Sequence, residues 1–86
     1  MSETEIQLLA IHGTPMVKLR DVCELYFGNK QYQAYDRANR NLLPVPAFRL
    51  DPTSHKSPWM VMLKDIAAFI DARSADATNS WRKSQL

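Results

Sequence analysis

Gly28 most constrains what this chain can fold into, because it stands between two stretches of helical periodicity with nothing else separating them. Before it, Leu19, Val22, Cys23 and Tyr26 recur at helical spacing, with Arg20, Asp21 and Glu24 on the other side. Glycine adopts the left-handed conformation that ends helices, so a first helix of about two turns stops here. Directly after it, Asn29 is a good N-cap residue, and Lys30 to Leu42 contains neither Gly nor Pro. Two helices joined by so tight a turn predict a helix-turn-helix.

Pro44 and Pro46 end the second helix and force an extended path into Ala47-Phe48-Arg49-Leu50. A polar stretch from Asp51 to Pro58 follows, then the apolar Trp59-Met60-Val61-Met62. These runs predict a β-hairpin with a long tip, which in this position is a wing. Leu63 to Arg73 returns to helical periodicity, with Leu63, Ile66, Ala67 and Ile70 on one stripe. Upstream, Ile6 to Ile11 reads as a strand or a helical turn, and His12-Gly13-Thr14-Pro15 as a loop leading to a second short apolar piece, Met16 to Leu19. The expected architecture is a small α+β winged helix-turn-helix of about three helices with a two-stranded wing. Its core is 6–73, and 74–86 is a helical extension or a disordered tail.

With 86 residues there is room for a single domain, and a chain this short buries only about 60 to 65% of the surface its unfolded form exposes. Eleven Lys and Arg against nine Asp and Glu leave a net charge of +2, too little to indicate a polyanion partner. Its distribution says more. Glu3, Glu5, Asp21 and Glu24 fall in the first 24 residues, whereas Asn29 to Arg49 holds Lys30, Arg37, Arg40 and Arg49 against Asp36 alone. On a helical projection Ala34, Tyr35, Ala38 and Leu42 lie within about 100° of one another and form the packing face. Asn29, Lys30, Gln33, Arg37 and Arg40 gather nearly opposite. These are the residue types that meet guanine, adenine and phosphate in a major groove. Any amphipathic helix solvates its outer face with such residues, so it is the order helix, turn, helix, wing that favours double-stranded DNA. In the wing, Arg49, His55 and Lys56, with Thr53, Ser54 and Ser57, are placed to reach phosphates or an adjacent minor groove.

Other chemistries lack their residues. One cysteine and two distant histidines do not make the usual four-ligand zinc spacing, and Cys23, on the apolar stripe, is expected in the core. There is no phosphate-cradling glycine loop and no nucleophile elbow, so neither enzymatic activity nor a cofactor, metal or small-molecule ligand is expected. The opening residues lack a secretory signal, and no apolar run approaches the length of a membrane span, which together predict a cytoplasmic protein. Trp59 is expected to cover the core. Trp81, beside Arg82 and Lys83, is a candidate contact for another protomer or for RNA polymerase. So few base-reading side chains give limited affinity, and a homodimer or higher oligomer is expected.

The chain resembles the pyocin activator protein PrtN family of phage and bacteriocin regulators. The resemblance rests on Leu8-Leu9-Ala10, on Val22-Cys23 with Tyr26-Phe27-Gly28, on Leu43-Pro44-Val45-Pro46-Ala47-Phe48-Arg49-Leu50, on Lys56-Ser57-Pro58-Trp59-Met60-Val61 and on Asp65-Ile66-Ala67-Ala68-Phe69-Ile70-Asp71-Ala72-Arg73. It implies transcriptional activation of phage or bacteriocin-type genes, in an architecture similar to the winged helices of excisionases and MerR-type regulators. By that likeness the DNA-binding role falls to Lys30, Gln33, Arg37, Arg40 and Arg49. Two departures stand out: Asn39-Arg40-Asn41 replaces a glycine expected after the second helix, and Met62 stands where a histidine is common. An excisionase-like directionality factor and a phage-encoded protein-binding inhibitor are the alternative functions.

Overall fold

The computed structural model describes residues 1–85; the part of the tail expectation that concerns Leu86 lies outside the described residues. The chain is a small α+β domain compatible with a winged helix-turn-helix. Its order is α1 (Glu3–His12), β1 (Met16–Lys18), α2 (Leu19–Phe27), α3 (Gln31–Asn39), β2 (Ala47–Arg49), β3 (Trp59–Met62) and α4 (Leu63–Ser84). There are thus four helices and a three-stranded sheet, one helix and one strand more than the sequence suggests.

The extra helix is α1, in place of the strand or helical turn that the sequence predicts over Ile6 to Ile11. Ser2 caps it by accepting from the Glu5 amide at 3.2 Å, Glu3 and Glu5 sit favourably in its first turn, and left-handed Gly13 closes it by donating to the Leu9 carbonyl at 2.8 Å. The extra strand, β1, is only three residues long and takes its place from β3. The sheet runs β1-β3-β2, antiparallel throughout, with Val17 opposite Val61 on one side and Ala47 opposite Val61 on the other. Val61 is accordingly fully buried.

Leu8 of α1, Leu19, Val22 and Cys23 of α2, Ala34 and Ala38 of α3, Val45, Val61, and Leu63, Ile66 and Ala67 of α4 form the core with Val17. Phe27 and Phe69 close one edge, their ring centroids 5.5 Å apart. Cys23 is buried, as its place on the apolar stripe predicts.

The helix-turn-helix follows the glycine. Gly28, at φ 68°, carries its amide to the Glu24 carbonyl at 3.2 Å, and the Asn29 amide turns back to the Cys23 carbonyl at 3.1 Å. That turn corrects the expectation for Asn29. With its backbone folded onto α2, the residue is only 6% exposed, and Lys30 becomes the N-cap of α3. At the other end α3 stops at Asn39, short of Leu42. Asn41 then takes a left-handed φ of 55°. Asparagine is the side-chain-bearing residue best suited to that region, so Asn41 does the work of the glycine missing from this position. Beyond the reversal Leu42 is 61% exposed and does not join the packing face.

α4 runs on to Ser84, so the tail through that residue is the helical extension. Residues 71–84 are all exposed, and the molecule measures 53 × 27 × 16 Å.

Candidate nucleic-acid interface

On α3 and its two cap residues, Lys30, Gln33, Arg37 and Arg40 are all exposed, while Ala34 and Ala38 are buried. The spacing of these four keeps them on one side of the helix. Burial of the two alanines against α2 holds that side outward, and alanine there brings the two helices close.

The four are not equivalent. Gln33 turns its Oε1 back to accept from the Lys30 amide at 3.0 Å, closing the first turn. Its side-chain NH2 remains as a donor. Arg40 Nε lies 3.4 Å from Asp36 Oδ1, one turn earlier, whereas Arg37 has no ion pair among the described residues. Of the two arginines on this face Arg37 is therefore the uncommitted one, and Lys30 likewise has no ion pair among the described residues. Asn29 does not share the face. It is buried in the turn, and its Nδ2 has no hydrogen-bond partner. Projection alone placed Asn29 with the basic row because it presumes the helix has already begun. Tyr32 was missed by the sequence reading. It is 69% exposed in the first turn of α3; the available signal was a large aromatic in the first turn of a helix whose core positions are already filled by alanines.

The wing is built by β2 and β3, whose register sets Arg49 directly opposite Trp59. The guanidinium carbon lies 4.6 Å from the Trp59 ring centroid, within cation–π range. Arg49 Nε is buried without a hydrogen-bond partner. Trp59 packs against the core from the other side, as its strand position predicts.

At the tip, the Thr53 hydroxyl donates within the loop, whereas Ser54 and Ser57 accept there and keep their O–H donors. Thr53 donates through its Oγ1 (2.7 Å) and its amide (3.1 Å) to Asp51 Oδ1, Ser57 Oγ accepts from the Asp51 amide (3.3 Å), and Ser54 Oγ accepts from the Lys56 amide (3.2 Å). These bonds give the loop a defined shape. They also hold the Asp51 carboxyl below its ordinary range, the Thr53 hydroxyl contributing most and its amide next. His55 and Lys56 are left exposed at the apex.

Helix and wing are joined by a groove of about 320 Å³ lined by Ala38, Asn41, Leu43, Val45 and Ala47 with the two prolines. The left-handed turn at Asn41 and the stiff Pro44-Val45-Pro46 segment fix how β2 leaves α3. Among the described residues no group of three or more His, Cys, Asp or Glu side chains is arranged to hold a metal ion, and no helix is long and apolar enough to cross a membrane.

An exposed basic row on the second helix of a helix-turn-helix, followed by a shaped wing, is the frame within which sequence likeness becomes decisive. The family model described as pyocin activator protein PrtN matches residues 4–77. The chain belongs to this family. The PrtN match begins in α1 and takes in both helices of the helix-turn-helix, the whole wing and α4 as far as Ala77, and it assigns the chain a general activator role. It stops at Ala77, short of the last turns of α4. No curated protein sequence and no solved structure matches the chain.

Proposed function

We propose that this protein is a sequence-specific DNA-binding transcriptional activator of phage or bacteriocin-type genes, acting in the cytoplasm by binding and not by catalysis. In this reading α3 enters the major groove, with Lys30, Gln33, Arg37 and Arg40 toward base edges and phosphates, and Arg49, His55 and Lys56 of the wing reach phosphates or the neighbouring minor groove. The observation that carries it is the exposed row on α3, in a chain whose family is named for activation. The uncommitted charge of Arg37 adds support, because an arginine without an intramolecular partner forms a phosphate or guanine contact without first giving up an ion pair. The activator pairs on repeated or inverted half-sites and recruits RNA polymerase or remodels the promoter.

A gel-shift titration tests the reading, using DNA from the protein's own upstream region and a scrambled duplex of equal length, at two salt concentrations. Preferential, salt-sensitive retention of the native fragment is expected, and it is lost in the double variant Arg37→Glu/Arg40→Glu. Equal affinity of that variant for the native fragment overturns the assignment of α3. Retention no better than the scrambled duplex turns the search toward a protein target. A footprint beside an integrase core site, in place of one upstream of a promoter, identifies a directionality factor.

A further inference from the structure

The last turns of α4 have no function in the fold or in the interface above, and yet they continue its packing seam. Leu63, Ala67 and Ile70 lie on one side of α4 at alternating spacings of four and three; the first two are buried and Ile70 packs against the core. At the same spacing the seam continues as Ser74, Ala77, Trp81 and Ser84, all exposed. Cover ends where α1 begins, since the Thr4 hydroxyl donates to Asp71 Oδ1 at 2.6 Å. From Ser74 to Ser84 the uncovered part of α4 is an arm of roughly 16 Å at about 1.5 Å per residue. Trp81 is 63% exposed on it. A segment rich in Ser, Asp, Thr and Asn is a poor helix by itself.

We infer that the arms of two copies of this chain pack against each other antiparallel, forming a two-fold dimer in which each Trp81 seats on the partner's Ala77. Three observations select this occupant. The seam is self-complementary: Ala77 with the partner's Trp81, and Ser74 with the partner's Ser84, are both pairings centred on Asn79, so one register places the large residue over a small one and leaves small residues at both ends. Charge separates along the arm. Arg82 and Lys83 occupy its tip, while Asp71 and Asp76, together with Glu3 of α1, outnumber Arg73 at its base. An antiparallel pair brings tip to base; a parallel pair sets each Arg82 and Lys83 beside its own copy. The helix dipoles favour the same choice, bringing the C-terminal end of α4 toward the N-terminal end of the partner's α1. Trp81, Arg82 and Lys83 all lie beyond the last family-matched residue, Ala77.

The inference gives the pairing invoked above a location and a symmetry, and it relies on the DNA-binding reading only for the use of that pairing. A pair of three-turn helices falls at the small end of specific interfaces, so association is reversible and in the micromolar range, about 1 to 100 µM.

Sedimentation of the full chain without DNA, over about 1 to 300 µM protein, tests it directly. Wild type is expected to pass from monomer to dimer. Trp81→Ala and Ala77→Arg each weaken the dimer by about tenfold or more, with the urea midpoint of the core unchanged because neither position touches it. Arg82→Glu/Lys83→Glu weakens it as well. A monomer at every concentration, or a dimer indifferent to both seam variants, overturns the inference. Since no DNA is present, neither result depends on the gel shift, and failure of the gel shift leaves the sedimentation result standing.

Discussion

Arg49 and Trp59 face each other across β2 and β3, with the guanidinium 4.6 Å from the indole centroid. The stack ties the loop end of the two wing strands to the core through one pair, since Trp59 packs inward while Arg49 lies over its ring. Replacing Arg49 by Met keeps the apolar stem and removes the charge. The lost cation–π attraction is worth about 0.5 to 1 kcal/mol, but the change also removes an Nε buried without a partner. These effects oppose, and urea unfolding is expected to shift by less than about 1 kcal/mol. DNA affinity, measured on the same preparation, falls, which separates a contact from a structural prop.

The ion pair on α3 predicts an asymmetry between its two arginines. Arg37→Ala is expected to reduce the dependence of log K on log salt by about one phosphate contact. Arg40→Ala has a smaller effect, because Arg40 already shares its charge with Asp36. Asp36→Asn strengthens DNA binding, by freeing Arg40 and removing a negative charge from the face presented to phosphate. Titrations of the three variants over a salt series give all three slopes; equal losses at Arg37 and Arg40 contradict the asymmetry.

Two left-handed positions bracket α3, and they respond oppositely to substitution. Gly28→Ala forces a side chain into φ 68° and destabilises by about 1 kcal/mol, even though no atom lies in the way of the added carbon. Asn41→Gly relieves the strain at φ 55° and is neutral or slightly stabilising, whereas Asn41→Val, β-branched, costs about 1 to 2 kcal/mol. Thermal melts of the three variants check the order.

The wing tip carries a pH dependence of known sign. Asp51 is depressed in the folded loop by the Thr53 hydroxyl and amide, so its contribution to loop order is complete above the ordinary aspartate value and is lost as pH falls through the lowered one. Thr53→Val removes the larger cause. The Asp51 carboxyl, followed by carbon NMR, then titrates nearer its ordinary value, and the loop amides lose protection at a higher pH than in wild type.

How much of this was legible in the sequence follows from where the determinants sit. The helix-turn-helix and the wing were readable because their determinants are local: a glycine turn, a four-and-three apolar stripe, two prolines, a short β-rich run. α1 carried local signals too, in the Ser2 cap with Glu5 three residues on and in Gly13, but apolar residues on both of its sides blurred the period. β1 was not legible as a strand, because three residues have no period of their own and acquire pairing only when β3 lies alongside.

For the candidate site the sequence by itself determined which residues form the basic row, since Lys30, Gln33, Arg37 and Arg40 share a face in any helix that spans them. Only the tertiary structure decided which of them remain free. The turn at Gly28 buried Asn29 against α2, one salt bridge occupied Arg40, one cap occupied the Gln33 carbonyl, and one loop bond took up the Thr53 hydroxyl. The physical reason is that chain spacing fixes direction around a helix axis, while burial and hydrogen bonding depend on what the rest of the chain brings to that direction.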